Sequence, residues 1–328
     1  MKDAYHGRRV LITGGLGFIG SNLAIELCRL GATVTVVDLP VSESASQWRN
    51  VEPVLQQMTI CLHDIRDETV IESYLRNQDY VFCLAGQVSH SASMRRPLED
   101  LDVNCRSYVT LLEVCRKVNP TARIVFASTR QVYGKPFCLP VPEMHPIQPV
   151  DVNGINKRAA ESYFALYSKV YGLSTLCLRL TNTYGPRMDI TNYTKGFVGV
   201  FLGQALQGHA IRVFGDGRQR RDFNYVSDVV DAFLLAGAHR QASGECFNLG
   251  HEKHYSINEL LETLSKHLPV TFEHVPFPPD LLAIEIGDCY CDFSAFHRLT
   301  QWSPRVDLEE GLERTLAYFR ENEKRLRC

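Results

Sequence analysis

Short apolar, β-branched runs alternate with helical patterns through the first half of the chain. Val10 to Ile12, Thr33 to Val37, Met58 to Leu62, Tyr80 to Leu84, Ala122 to Ala127 and Ser174 to Leu180 read as buried strands. Between the first two, Ile19, Leu23, Leu27 and Leu30 recur at helical spacing and Gly31 supplies a stop. A short helix ends near Arg76, Pro97 opens a long one through Lys117, and another runs from near Asn153 to Tyr171, closed by Gly172. Strands alternating with helices predict an α/β, doubly wound parallel sheet with crossover helices. After Pro186 the alternation loosens. A helix over Gly196 to Gly208, a turn at Phe214–Gly217, a helix from Val226 to Gly237, a strand from Cys246 to Leu249 and an amphipathic helix from Leu308 to Glu323 remain. These patterns predict a first lobe over residues 1–180 with return segments near 224–251, and a smaller C-terminal α/β lobe over 181–328.

A chain of 328 residues can bury a sizeable core. Its 35 basic and 37 acidic residues leave a net charge of -2, which gives no bias toward nucleic acid or a membrane surface. No run of 18 apolar residues occurs and the first residues lack an apolar signal core, so a cytosolic (cytoplasmic) location is expected. Eleven scattered cysteines suit small buried hydrophobes in a reducing compartment. Cys289-Tyr-Cys291 is the one close pair and lacks zinc-site spacing, so no metal is expected.

The chemistry begins at Val10-Leu-Ile-Thr-Gly-Gly-Leu-Gly-Phe-Ile-Gly20, a strand, a glycine elbow and a helix start. The glycines fit Gly15-x-Gly17-x-x-Gly20 and Gly14-x-x-Gly17-x-x-Gly20 alike. Either permits a tight turn and close backbone approach to a pyrophosphate, with the helix N-terminus facing the phosphates. The second strand ends in Asp38, 18 residues past Gly20, where a carboxylate accepts from a ribose 2′-OH. That acid repels a 2′-phosphate and Leu39-Pro40 offers no cation to hold one, so a Rossmann-type lobe binding NAD rather than NADP is expected.

Five motifs spread over nearly the whole chain resemble the extended short-chain dehydrogenase/reductase family, in particular its NAD-dependent nucleotide-sugar epimerases and dehydratases. They are Thr13–Gly20, Leu84-Ala-Gly-Gln87, Ser128-Thr-Arg-Gln-Val-Tyr-Gly134, Arg179-Leu-Thr-Asn-Thr-Tyr-Gly-Pro-Arg187, and Phe214–Gly217 with Arg221–Asp228. The segment Gln301–Gly311 is similar to that family's closing motif. The resemblance implies that Gly14, Gly17, Phe18, Ile19 and Gly20 hold the pyrophosphate and Asp38 the adenosine ribose, with Leu39 also at the cofactor. Asp64 and Ile65 would lie at the adenine; Leu84, Ala85, Gln87 and Asn104 would line the cofactor, with Lys157 on the nicotinamide ribose. Thr129 would bind the sugar oxygen being oxidised, beside Gln87, and Asn182 and Arg221 would face the nucleotide diphosphate. A homodimer through the two long helices is also implied; Leu101, Tyr108, Leu112 and Cys115 permit it, and the same residues could instead pack on the sheet.

The sequence departs from that family in two places. Its members carry a proton-transferring Tyr four residues before the Lys, on the same helix face; here Asp151-Val-Asn-Gly-Ile-Asn-Lys157 places Asn153 there. An amide neither takes nor gives a proton near neutral pH. Where many relatives carry an arginine for the substrate phosphates, Ala283–Asp288 has Glu285. His90, Lys157, His145 and Cys138 are the candidates to replace the tyrosine, and Asn153 itself is left as a hydrogen-bonding group at the catalytic position. Arg130 stands where dehydratase relatives place an acid, which weighs against dehydration. The leading expectation is an NAD-dependent nucleotide-sugar epimerase of C4 type. A dehydratase or decarboxylase, or a silent protein binding NAD and a sugar nucleotide, are the alternatives.

Overall fold

The computed structural model describes residues 1–39, 46–192 and 196–327. Seven parallel strands form the main sheet: β1 (Arg9–Thr13), β2 (Thr33–Asp38), β3 (Met58–Leu62), β4 (Tyr80–Cys83), β5 (Arg123–Thr129), β6 (Ser174–Leu180) and, after an excursion through β7 to β9, β10 (Glu245–Asn248). Their order is β10-β6-β5-β4-β1-β2-β3. The winding reverses between β1 and β4, and in open α/β sheets the ligand crevice lies outside the carboxyl ends at that reversal.

Both faces of the sheet are covered, as uniformly buried β4 and nearly uniformly buried β5 require. On one face α1 (Phe18–Arg29) and a helix at Val226–Ala238 enclose Val10, Ile12, Phe82, Val125 and Phe233. On the other pack the helix Glu68–Leu75, α2 (Ser107–Val118) and α3 (Val152–Tyr171), around Val81, Phe126, Tyr108 and Phe164. Asp151 caps α3, accepting from Gly154 N at 2.6 Å, and left-handed Gly172 ends it.

A second core gathers β7 (Asn182–Tyr184), β8 (Ile211–Phe214), β9 (Arg220–Tyr225) and the helices Phe197–Leu206, Ile257–Ser265 and Leu308–Arg327. There β11 (His254–Ser256), β9 and β7 form one small sheet; β12 (Phe272–Val275) and β8 form another. The closing segment is tied back to the first lobe. Trp302 Nε1 donates to Asp228 O at 2.8 Å, and the Asp228 carboxylate accepts from the N–H groups of Arg305 and Val306.

Two details differ from the sequence pattern. The stretch from Pro97 is not one regular helix: Pro97–Leu101 leads into a π-helical turn, Asp102–Arg106, before α2, an insertion that 3.6-residue periodicity does not reveal. Tyr108, Leu112 and Cys115 are wholly buried against the sheet and are not available to a second subunit. Exposed apolar side chains of these segments include Leu98 and Leu101, and on α3 Ile155, Tyr163, Leu166, Val170 and Tyr171. Among the described residues no helix is long and apolar enough to cross a membrane, and no cluster of metal-ligating side chains occurs.

Candidate active site

At the end of β1 the chain turns through Gly14 with φ of +73°, a left-handed conformation that a side chain resists. Space excludes one as well. A Cβ at Gly14 would lie 2.5 Å from Ala85 N, and one at Gly20 would lie 2.1 Å from Gly14 O. The elbow therefore presses on the loop after β4 and on the first turn of α1. Helix α1 begins with Gly17 as N-cap, no capping side chain and no acid in its first turn, so its dipole and N–H groups open into the crevice. Asp38 Oδ2 accepts from Leu16 N at 2.8 Å and braces the elbow from the side. This cradle fits a dinucleotide pyrophosphate with a carboxylate beside it.

Across the crevice stand Thr129 and Lys157. Thr129 ends β5, partly exposed, with its hydroxyl accepting from Gln131 N at 3.2 Å. Lys157, in the second turn of α3, is 7% exposed; its ammonium donates to Ala127 O at 3.0 Å and lies 4.7 Å from the Phe126 ring centre. Burial pulls its pKa down to about 8, with the carboxylate of Asp100 the largest opposing influence. Gly86 leaves the room this requires, since a Cβ there would lie 2.8 Å from Asn104 Oδ1 and 3.3 Å from Lys157 Nζ.

Asn153 is drawn into the wall of the site. It is 3% exposed, and its amide donates to Gln87 O at 2.8 Å and to Asp100 Oδ2 at 3.3 Å. Asp100 Oδ1 accepts from Asn156 Nδ2 at 2.8 Å, and Asn104 Nδ2 donates to the same Gln87 carbonyl at 2.9 Å. Through its Nδ2, Asn153 thus ties the loop after β4 to Asp100 and the head of α3. Asn104, expected along the cofactor, is fully buried behind Gln87 and acts on the crevice only through that loop.

The remaining sequence candidates divide. Leu39 is exposed beyond Asp38, and Leu84 and Ala85 follow β4 at the switch point, where Tyr108 OH donates to Ala85 O. Ile65 is buried, whereas Asp64 is bound by Arg66 at 2.5 Å, which lowers its pKa. Gln87 turns its amide onto Ser89. In the second lobe both ends of the Asn182 amide are engaged, to Arg130 Nη2 at 3.1 Å and Asp222 O at 3.0 Å. The guanidinium of Arg221, 6% exposed, pairs with Glu285 at 3.0 Å and donates to Gly287 O. Glu285 therefore neutralises in place the cation expected at the diphosphate.

Several residues of the site were not identified from the sequence. Asp100 joins the wall through contacts 53 and 56 residues distant, a pairing no local pattern reports. Asp151 stands just ahead of a helical pattern and could have been read as an N-cap. The buried pair of Arg179 and Glu161, at 2.7 Å with Ser128 donating to the same carboxylate at 2.6 Å, supports β5 directly behind Thr129. Arg130 lies among Asp222 and Cys289, and burial pushes the Asp222 carboxyl up to about 7.

Residues 10–250 match the NAD dependent epimerase/dehydratase family. The chain belongs to that family. The UDP-glucose 4-epimerase of Mycolicibacterium smegmatis is 31% identical over 95% of this chain and 98% of its own. UDP-glucuronic acid decarboxylase 1 of Danio rerio is 34% identical over 95% of this chain and 72% of its own. Among solved structures, the UDP-glucose 4-epimerase of Thermotoga maritima with UDP-glucose superposes with a TM-score of 0.85 at 32% identity, covering 96% and 99% of the two chains. This member of the epimerase/dehydratase family is accordingly an NAD-dependent enzyme of that type, on the Rossmann-type fold expected of it.

Proposed function

We propose that the chain is a UDP-sugar 4-epimerase whose crevice holds NAD across the switch point and the sugar beside Thr129. The reading rests chiefly on one juxtaposition: Thr129 ends β5 and the buried Lys157 cation donates to Ala127 O two residues before it, at the same end of the sheet as the glycine cradle of β1. Similarity over the full chain to UDP-glucose 4-epimerases supports the substrate class.

Gly14, Gly17, Phe18, Ile19 and Gly20 would hold the pyrophosphate and Asp38 the adenosine ribose, with Leu39, Asp64 and Ile65 toward the adenine. Leu84, Ala85 and Gln87 would line the nicotinamide half, and Lys157 would bind its ribose. NAD bound there supplies a hydride acceptor. The protein's own part is to place the sugar C–H against it, to orient the hydroxyl through Thr129, and to keep a positive charge nearby through Lys157. The two residues that follow Thr129, Arg130 and Gln131, are not acids, and Arg130 is committed to Asn182, which disfavours dehydration.

The test is product analysis with UDP-glucose, UDP-N-acetylglucosamine and UDP-glucuronic acid in the presence of NAD+. Epimerisation predicts a new stereoisomer of unchanged mass, resolved by NMR. Loss of water or carbon dioxide in the mass spectrum would overturn the assignment in favour of dehydration or decarboxylation. The exposed stripe Ile155, Tyr163, Leu166 and Val170, next to Leu98 and Leu101, supports a homodimer through α3. Light scattering should give twice the chain mass, and Leu166→Glu should reduce it to the monomer.

A further inference from the structure

Asn153 cannot move a proton, and the structure removes three of the other candidates from that role. Lys157 is enclosed and donates to Ala127 O. His145 is 4% exposed and uses both ring nitrogens, Nε2 toward Phe137 N at 2.9 Å and Nδ1 toward Pro146 O at 2.7 Å. Cys138 lies exposed in the loop that carries Phe137, with no contact to Thr129 or Lys157 among the hydrogen bonds of the site.

His90 is differently placed. It opens the short helix His90–Arg95 just past the loop after β4, with a 39% exposed side chain, and its Nδ1 lies 2.8 Å from Oδ2 of Asp151, which is fully buried. The other Asp151 oxygen caps α3 through Gly154 N. Gln131 joins this pair to Thr129. Its side-chain amide lies 3.4 Å from Asp151 Oδ2 and 3.5 Å from His90 Nδ1, while its backbone N–H donates to Thr129 Oγ1 at 3.2 Å. A proton on Nδ1 shared with the Asp151 carboxylate leaves Nε2 as the acceptor of a ring whose side chain is 39% exposed.

We propose that His90 is the proton-transferring residue of this enzyme, taking the role that the missing tyrosine has in relatives, and that Asp151 is its positioning residue. The proposal rests on the reading of the crevice as a sugar-nucleotide oxidation site. As the sugar hydroxyl beside Thr129 becomes a carbonyl, its O–H proton passes to His90 Nε2 and the electron pair of the adjacent C–H bond leaves as hydride to the oxidised nicotinamide dinucleotide. The imidazolium so formed is stabilised by the buried Asp151 carboxylate, and it returns the proton when hydride is restored to the opposite face. Proton and hydride are each borrowed once and returned once, so substrate and product are isomers.

The experiment combines a labelling readout with kinetics on the full-length protein. Carbethoxylation of His90 by diethyl pyrocarbonate, followed by peptide mass spectrometry, should slow several-fold when NAD+ and UDP-glucose are both present. His90→Gln, which keeps a hydrogen bond to Asp151, should lower kcat by about 10²–10⁴-fold with KM and NAD+ affinity unchanged, and imidazole should partly rescue His90→Ala. Asp151→Asn, which retains an oxygen to cap α3, should lower kcat in the same way without changing KM. His90 labelling that ignores the ligands, or wild-type kcat in His90→Gln, overturns the assignment. Failure of the wild-type protein to bind NAD+ or UDP-glucose by calorimetry overturns the underlying reading instead, so the two failures are distinguishable.

Discussion

Replacing Lys157 with methionine should stabilise the apoprotein while weakening its function. The ammonium is 7% exposed, has one hydrogen bond, to Ala127 O, and burial lowers its pKa from 10.5 to about 8. At 1.36 kcal/mol for each pH unit, the charged amine withholds about 3 kcal/mol from the folded state. Because the folded pKa lies below the unfolded one, this contribution is absent below pH 8 and recovered as pH rises toward 10.5. In that window the unfolded chain holds a proton that the folded chain does not. Methionine fills similar space without a charge and forfeits the bond to Ala127 O, worth about 1 kcal/mol. The net expectation at pH 7 is a gain of about 2 kcal/mol, or about 3 °C in Tm for a chain of 328 residues. Scanning calorimetry of both proteins from pH 7 to 10.5 should show the Lys157→Met advantage shrinking to nothing and then reversing by up to about 1 kcal/mol, since other titrating groups cancel in the difference. A variant that melts below wild type at pH 7, or a gap that does not change with pH, would refute the argument. The same variant should bind NAD+ more weakly by calorimetry.

Thr129→Val removes the hydroxyl at the end of β5 and should lower kcat by about 10²-fold or more in the epimerisation assay, with the fold preserved by circular dichroism. Gly20→Ala places a methyl 2.1 Å from Gly14 O, so the elbow must open; NAD+ affinity should fall by at least about 100-fold, equivalent to about 2.7 kcal/mol in isothermal titration. Glu161→Gln breaks the buried pair with Arg179 and leaves that cation uncompensated; urea unfolding should report a loss of about 3–5 kcal/mol.

The sheet was legible because its strands are short apolar runs, several of them separated by helices with clear ends. Met58–Leu62 and Ser174–Leu180 coincide with the residues expected, and the strand expected at Cys246–Leu249 does rejoin the first sheet, beside β6. The small sheets of the second lobe were not legible. β9 reads Arg-Arg-Asp-Phe-Asn-Tyr, and its charges are buried only because Arg221 meets Glu285 and Asp222 accepts from Cys291 N, partners far along the chain. The glycine cradle and Thr129 could be placed from local spacing. The environment of Asn153 could not, since Asp100 and Gln87 reach it from other elements, and the pairing of His90 with Asp151 spans 61 positions.

The amide mesh at the head of α3 bears on whether this chain could accept a tyrosine at position 153. A tyrosine at position 153 would put a bulky phenol where one small amide now serves both Gln87 and Asp100, and would strand the Asp100 carboxylate with Asn156 as its partner. A single codon change therefore leads to a damaged wall rather than to a restored acid. A working phenol there requires the partners of Asp100 and Gln87 to change with it.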